Sequence, residues 1–211
     1  MAFVSDGFSR GVFNDAQALA AKLRRSGMGS VAVQIGQVTL DEAEAFDRAG
    51  LDVIAWGIGD EGDHRGTLEA FRGFVDGYLL QIEDDLQYGA AVANLRAGIG
   101  ANLPRAVVTT FEGVNTGHNG TPLYPERMAP IREAKITTAF IECYEQEGHA
   151  DLRRMMWQAK TFQWEHAVPV IGLWGDARLR DYDQLPGFGR EWAFWRAEQI
   201  HPADLQAMEG G

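Results

Sequence analysis

The stretch SVAVQIGQVTLDEAEAFDRAGLDVIAWGI, residues 30–58, contains the pattern that decides the fold. An apolar, β-prone run at residues 31–35 is followed by a segment of helical period and then by a second apolar run at residues 53–58. Thr39-Leu40-Asp41-Glu42 has the spacing of a capping box, which predicts the start of a helix, and Ala49-Gly50 predicts its end. The stretch therefore predicts a strand, a helix and a second strand joined by short loops.

The same unit recurs along the chain. Eight apolar runs are candidate strands, at residues 3–6, 31–35, 53–58, 78–83, 106–112, 137–144, 168–174 and 192–198. Most of them are apolar on both faces, which is typical of parallel strands that lie between outer helices and a packed interior. Eight strand–helix units with right-handed connections favour a closed barrel.

An open nucleotide-binding sheet is the competing architecture, and it would need a glycine-rich turn after the first strand. The turn in that position, Gly7-Phe8-Ser9-Arg10-Gly11, matches neither the dinucleotide nor the phosphate-loop fingerprint. We therefore predict an α/β fold, a single (β/α)₈ TIM barrel domain over residues 1–211. Its active-site face is expected at the carboxyl ends of the strands.

The composition excludes several classes of protein. The chain has 211 residues and a net charge of −11, so it repels phosphate backbones, and we expect no nucleic-acid partner. No apolar run is long enough to span a bilayer and the first residues lack the features of a signal peptide. We therefore expect a soluble protein, cytoplasmic when made, with no membrane partner. The one cysteine, Cys143, excludes an internal disulfide framework, and we interpret it as a small buried hydrophobe.

Carboxylates and aromatic residues occupy the predicted strand ends, where barrel enzymes bind their substrates. Because side chains alternate along a strand, one inward phase would place acidic residues in a ring around the barrel mouth. Carboxylates that lie close together cannot all ionise, so one stays protonated and serves as a general acid. We predict three catalytic residues, Glu83, Glu112 and Glu142. We predict seven substrate-binding residues, Asp6, Gln34, Trp56, Gln81, Tyr144, Trp174 and Glu198.

The acidic residues have two other interpretations. One is structural, because ion pairs with Arg105, Arg178 or Arg196 would imitate a catalytic cluster. The other is a Mg²⁺ or Ca²⁺ site built from oxygen ligands, although no motif fixes one. The five histidines show no paired spacing, so we expect no zinc, and we predict neither a metal nor another cofactor.

The order of these features resembles glycoside hydrolase family 25, the barrel-type lysozymes. The resemblance is carried by Val4-Ser5-Asp6-Gly7, by the glycines that precede the second and third strands, and by Leu80-Gln81-Ile82-Glu83. In that family the fourth strand ends in an Asp-x-Glu pair whose glutamate is the catalytic acid, so the resemblance implies this role for Glu83. Gln81 replaces the aspartate, which leaves the partner's role to Glu112 or Glu142, or leaves the site without chemistry. Similar degenerate barrels are found in phage tail proteins that meet the bacterial cell wall.

Three functions follow from these features. The first is a glycoside hydrolase-like enzyme that acts on or binds a polysaccharide such as cell-wall glycan. The second, favoured by Gln81, is a non-catalytic carbohydrate-binding or virion-structural barrel whose partners are other phage structural proteins. The third is a metal-dependent barrel enzyme of another class, such as a lyase or isomerase acting on a small acid, and the charge of −11 counts against its anionic substrate.

Overall fold

A computed structural model of the chain describes residues 1–4, 15–58, 62–81, 93–94, 96–97, 105–110, 129–142, 163–172, 193–195, 197 and 200–209. For residues 105–110, 130, 142 and 195 it describes the backbone alone. The strands are β1 (Ala2–Val4), β2 (Ser30–Gln34), β3 (Asp52–Ile58), β4 (Gly77–Gln81), β5 (Arg105–Thr110), β6 (Thr138–Glu142), β7 (His166–Gly172) and β8 (Ala193–Trp195). The described helices are α1 (Ala16–Arg25), α2 (Leu40–Arg48), α3 (His64–Ala70), α4 (Ala129–Glu133) and α5 (Pro202–Met208).

The eight strands form one closed barrel in which each strand pairs in parallel with its sequence neighbours. The register runs from Ala2 beside Val31 through Val31 beside Val53, and β1 closes onto β8 where Ala2 pairs with Phe194. The Phe194 amide donates to the Met1 carbonyl at 2.9 Å across this closure. The predicted α/β barrel is therefore confirmed.

Alternate residues of each strand belong to two separate apolar clusters. The cluster inside the barrel consists of Phe3, Ala32, Trp56, Leu79, Val168, Val170 and Ala193, with Met1, Ile54 and Phe140 packed against it. The larger cluster joins the outer face of the strands to the helices and includes Ala2, Val31, Val53, Tyr78 and Leu205. This separation is what period-two alternation requires of strands that are buried on both faces.

Large aromatic rings fill the inside of the barrel. The Phe3 ring meets the Trp56 ring edge-on with centroids 5.8 Å apart, and it meets the Phe140 ring at 6.1 Å. Trp56 is 1% exposed and Phe3 is fully buried. The interior is thus a packed core, as barrels of this size require, and any ligand must bind above it.

The helix ends expected from the sequence are confirmed for α2, and α1 is capped by a side chain in the same way. The Asp15 side chain accepts a hydrogen bond from the Ala18 amide at 2.7 Å and caps α1. Thr39 and Glu42 form the capping box of α2, in which the Thr39 amide donates to the Glu42 carboxylate at 2.8 Å. Gly27 and Gly50 follow these helices with φ of 79° and 78°, where a side chain would be strained.

The strands are described over shorter ranges than the predicted runs. β4 is described to Gln81 and β5 to Thr110, and residues 82–83 and 111–112 of the predicted runs lie outside the described residues. On β8 the predicted run is too long, because Ala197 lies in a 3₁₀ turn rather than in the strand. The third helix begins at His64, because the Asp63 side chain caps it.

Helix α5 and the residue after it are bonded to α1. The Ser26 hydroxyl donates to the Leu205 carbonyl at 3.0 Å, and Lys22 Nζ lies 2.8 Å from a Glu209 carboxylate oxygen. The hydrogen bond and the charge of Lys22, together with Arg25, hold the pKa of the Glu209 carboxyl below its ordinary value of 4.5. This ion pair therefore favours the folded state only while Glu209 is ionised.

Within the described ranges, no helix is both long and apolar enough to cross a membrane.

We predict that Trp56→Ala lowers the free energy of unfolding by about 3–5 kcal/mol, because it leaves a cavity between Phe3 and the other interior side chains. Urea unfolding monitored by circular dichroism measures the change. The control is Leu40→Ala, since Leu40 is 42% exposed, and its effect should stay within about 0.5 kcal/mol. Equal effects of the two substitutions would contradict the packed interior.

We predict that Glu209→Gln reduces stability at neutral pH and that its difference from wild type disappears as the pH falls below 4.5. The folded-state pKa is depressed, so the contribution of the ion pair is present above the unfolded-state pKa and is lost as pH falls through the folded-state pKa. Urea unfolding at a series of pH values measures this. Added salt should shrink the difference, and a difference that stays constant with pH would show that the ion pair is not its cause.

Candidate functional site

The carboxyl ends of the parallel strands meet at one end of the barrel, which we call the mouth. On the side of β2, β3 and β4 the inward residues nearest the mouth are Gln34, Ile58 and Gln81, with Ile58 and Gln81 paired in register. On the opposite side the last strand residues are Thr110, Glu142, Gly172 and Trp195. Polar residues therefore replace the apolar interior at this end of several strands.

Gln81 is the residue of the mouth that most clearly lacks a partner. Its side chain is half-buried, and its Oε1 atom is buried with no hydrogen-bond partner among the described residues. A buried acceptor left in this state costs about 1–3 kcal/mol. Leu79 lies two positions below Gln81 in the apolar interior, so a donor for this oxygen has to approach from the mouth.

Gln34 brings a second carboxamide to the end of β2. Its backbone carbonyl accepts hydrogen bonds from the Gln37 and Val38 amides at 3.2 and 3.1 Å, which turn the chain sharply after the strand. The next amide, that of Ile35, donates to the Trp56 carbonyl at 2.7 Å and holds the end of β2 to β3. The Gln34 side chain is half-buried at a fixed strand end.

Trp56 lies deeper than its predicted role as a binding platform requires. The ring is 1% exposed and packs against Phe3, below Ile58 on the same strand. Trp56 therefore belongs to the packed core inside the barrel, and its role in binding stays a prediction.

The predicted carboxylates fall only partly within the described residues. Glu142 is the last residue of β6, and its backbone pairs in register with Thr110 of β5. Glu83 and Glu112 each follow two residues after the end of a strand in the sequence and lie outside the described residues. Four further predicted residues also lie outside them, namely Asp6, Tyr144, Trp174 and Glu198.

Strand alternation divides the predicted ring of carboxylates. Glu83 and Glu142 share the parity of Leu79 and Phe140, which pack inside the barrel. Asp6 has the parity of Ala2 and Val4, and Glu198 has that of Phe194, all of which belong to the outer cluster. Alternation therefore supports an inward phase on β4 and β6, whereas Asp6 and Glu198 lie outside the described residues and their place at the mouth stays a prediction.

A buried polar cluster beside the mouth was not expected from the sequence. His64, Tyr78 and Asn94 are at most 3% exposed and lie on the outer side of β3 and β4. His64 Nδ1 is 2.7 Å from the Tyr78 hydroxyl, and burial raises the pKa of that hydroxyl well above its ordinary value of 10. Gly57 is the sequence signal for this cluster, since an isolated glycine in a strand often marks a close approach.

Charged groups are scarce around the described part of the mouth. Among the described residues no group of three or more histidines, cysteines and acids is arranged to hold a metal ion. Of the three lysines in the sequence, Lys22 lies on α1 beside Glu209 and Lys135 is exposed before β6, at the opposite end of that strand from the mouth. The third, Lys160, precedes β7 in the sequence and lies outside the described residues.

No protein-family model and no curated protein matches this chain. Solved structures do match it. The 2-keto-3-deoxy-6-phosphogluconate aldolase of Zymomonas mobilis ZM4 is 9% identical with a TM-score of 0.61, over 99% of this chain and 88% of the aldolase. Orotidine 5'-monophosphate decarboxylase from Methanocaldococcus jannaschii is 10% identical with a TM-score of 0.60, over 100% of this chain and 97% of the decarboxylase.

A third solved structure, the tryptophan synthase alpha chain from Legionella pneumophila subsp. pneumophila, is 15% identical with a TM-score of 0.61, over 99% of this chain and 89% of that chain. These likenesses show the fold alone.

The resemblance to glycoside hydrolase family 25 is wrong, because the solved structures that this chain resembles are aldolase, decarboxylase and synthase barrels. The two functions that depended on this resemblance are wrong as well. They are the hydrolase acting on cell-wall polysaccharide and the non-catalytic carbohydrate-binding or phage tail barrel. The order of elements on which the resemblance depended is common to eight-unit barrels in general. Gln81 was the residue of this sequence that did not fit the family's Asp-x-Glu pair.

We predict that Gln81→Met raises the free energy of unfolding by about 1–3 kcal/mol, because it removes a buried acceptor without a partner and keeps the volume of the side chain. Urea unfolding in the absence of small molecules measures this. The matched control is Gln34→Met on the neighbouring side of the mouth, for which we expect a smaller gain. A Gln81→Met protein less stable than wild type would mean that the carboxamide is satisfied in the folded state.

Proposed function

We propose that this protein is a barrel enzyme of the lyase type that breaks or forms a carbon–carbon bond beside a carbonyl group. Its substrate is a small hydroxycarbonyl compound that binds at the mouth. The observation that carries this proposal is the buried, unpartnered Oε1 atom of Gln81 at the carboxyl end of β4. In (β/α)₈ enzymes the site lies at this end of the strands, and a buried acceptor there is matched by a hydroxyl donor of the substrate.

The class of reaction is suggested by the similar solved structures. An aldolase and a decarboxylase are among them, and by their names both break carbon–carbon bonds. Identities of 9 and 10% transfer no residue roles, so the roles below are assigned from this chain alone.

The proposed reaction needs a base and an acid at the mouth. One carboxylate removes the hydroxyl proton of a β-hydroxycarbonyl substrate, the carbon–carbon bond breaks, and its electron pair forms an enolate. The enolate is then protonated at carbon, which gives two carbonyl products. We assign the proton transfers to Glu83 and Glu142, which have the inward parity, with Glu112 as the third candidate. The carboxamides of Gln34 and Gln81 are assigned to hold the substrate oxygens.

A lysine imine plays no part in this proposal. Such a lysine has to reach the substrate carbonyl at the mouth. Lys22 lies on the outer helix α1, and Lys135 lies before the start of β6. Acid–base chemistry by carboxylates, with or without a divalent cation, is therefore the mechanism that we assign, and the part of Lys160, which lies outside the described residues, is tested below. Parallel assays with Mg²⁺ and with EDTA determine whether a cation is required.

An uncharged substrate suits the described part of the mouth. Gln34, Ile58 and Gln81 carry no charge, and the chain as a whole has a net charge of −11, which disfavours the approach of anions. Hydroxyl groups would donate to the Gln81 oxygen and accept from carboxamide nitrogens.

We predict that the protein catalyses exchange of the carbon-bound protons of dihydroxyacetone with D₂O, because a base that forms an enolate also exchanges its protons. Proton NMR measures the rate. Glu83→Gln or Glu142→Gln should reduce it by about a hundredfold or more. Glu44→Gln, an exposed carboxylate on α2 that pairs with Arg48, is the matched control and should leave it unchanged. Full exchange activity in both test variants would show that these glutamates take no part in the mechanism. Absence of exchange by the wild-type protein would contradict the proposed function.

We predict that borohydride treatment in the presence of dihydroxyacetone adds no mass to the protein, because no imine forms. Intact-protein mass spectrometry measures this on enzyme that remains active in the exchange assay. A covalent adduct that maps to Lys160 would overturn the carboxylate mechanism while leaving the lyase class in place.

A further inference from the structure

The cluster of His64, Tyr78 and Asn94 connects two loops that border the mouth. His64 is the first residue of α3, after the loop that leaves β3 at Ile58. Asn94 belongs to the segment that follows β4, which ends at Gln81. Ile58 and Gln81 pair in register, so the two loops start from adjacent positions at the mouth.

Asn94 holds the loop after β3 at two backbone atoms. Its Oδ1 accepts a hydrogen bond from the His64 amide at 3.1 Å, and its Nδ2 donates to the Gly62 carbonyl at 3.0 Å. Asn94 is 2% exposed, so neither bond competes with solvent. The chain is therefore fixed at Ile58 by the strand ladder and at Gly62 by the hydrogen bond to its carbonyl oxygen.

Gly57 makes the place for the His64 ring. A Cβ atom at this position would lie 2.4 Å from His64 Cε1 and 2.8 Å from Nδ1, which no real structure tolerates. The ring therefore lies directly against the backbone of β3, and on its other side Nδ1 meets the Tyr78 hydroxyl of β4 at 2.7 Å. The start of α3 is pinned to both strands beneath the mouth.

Packing alone does not explain this choice of residues. Three buried polar side chains have to be desolvated, whereas apolar side chains of the same volume would fill the space without that penalty. Directional hydrogen bonds fix a backbone position more tightly than apolar contacts do. Both backbone bonds of Asn94 end shortly after β3, at Gly62 and His64, and the last residue of β3, Ile58, pairs with Gln81.

We propose that His64, Tyr78 and Asn94 are positioning residues that fix Gly62 and the start of α3 against β3 and β4, and thereby hold the ends of these two strands, with Ile58 and Gln81, in place at the mouth. This inference rests on the proposed function for its ligand. The placement of Gln81, rather than the global stability of the barrel, is the property that the cluster controls.

Gly57→Ala is the first test, because its methyl group displaces the His64 ring from the outer side of β3 and adds nothing to the interior of the barrel. We expect kcat for dihydroxyacetone exchange to fall by about a hundredfold at a temperature where circular dichroism shows the variant folded. The double variant Gly57→Ala with His64→Ala should recover part of that loss, since the clashing ring is gone. Gly66→Ala on α3, where a Cβ meets nothing within 4 Å, is the matched control and should match wild type.

Asn94 variants test the backbone bonds directly. In Asn94→Ala the His64 amide should exchange with solvent faster, whereas Asn94→Asp keeps an acceptor for that amide and places a carboxylate oxygen where the donor to the Gly62 carbonyl was. For a positioning role, kcat should fall in both variants with KM changed much less. Lower thermal stability with unchanged kcat in every folded variant would show a purely structural cluster and overturn the inference.

A measurement without turnover separates this inference from the proposed function. The side-chain amide resonances of Gln81 in NMR spectra should shift in Gly57→Ala and Asn94→Ala but not in Gly66→Ala. If wild type exchanges no protons of dihydroxyacetone while Gln81 still responds in this way, the proposed function fails and the positioning role stands. If Gln81 is unaffected in both variants, the positioning role fails whatever the enzyme does.

Discussion

The closure of β1 onto β8 is the constraint on which the rest of the structure depends. The pairing of Ala2 with Phe194 and the bond from the Phe194 amide to the Met1 carbonyl turn a row of parallel strands into a ring without edges. Once the ring is closed, every inward side chain competes for a narrow space. Phe3, Trp56 and Phe140 occupy it with edge-on contacts. The interior is then full, and chemistry is confined to the ends of the strands.

The inner and outer faces of β3 and β4 carry different kinds of side chain. On the inner face, Trp56 and Leu79 lie in the packed core, and Ile58 and the carboxamide of Gln81 follow them at the mouth. Outside, the glycine at position 57 replaces what would otherwise be another apolar side chain, and His64 takes the space. One pair of strands therefore supplies both a buried polar atom without a partner among the described residues and a hydrogen-bonded polar cluster that fixes the chain at Gly62 and His64.

The fold was predictable from the sequence because its signals are local and repeated. The capping box at Thr39 and Glu42 and the glycine after α2 each report a boundary through neighbouring backbone atoms. The candidate site was less predictable, because it depends on where a ladder ends and on which parity faces inward. Strands that are apolar on both faces do not show which parity faces inward, and on β3 and β4 that parity is seen only from the packing of Trp56 and Leu79 inside the barrel. The burial of His64 depends on Gly57 and Asn94, which lie on two other segments.

The contrast between Gln81 and the cluster around Asn94 distinguishes the two kinds of buried polar group in this protein. Asn94 uses both ends of its carboxamide within the chain, so its hydrogen bonds stabilise one position of the loop. Gln81 leaves its oxygen without a partner among the described residues, so the unmet hydrogen bond lowers the stability of the folded chain. A ligand that donated to this oxygen, as we propose, would offset that cost, so stability and the proposed binding are opposed at Gln81 and aligned at Asn94. An apolar residue at position 81 would avoid the cost, and the glutamine there is therefore the observation in the described structure that most favours a ligand at the mouth.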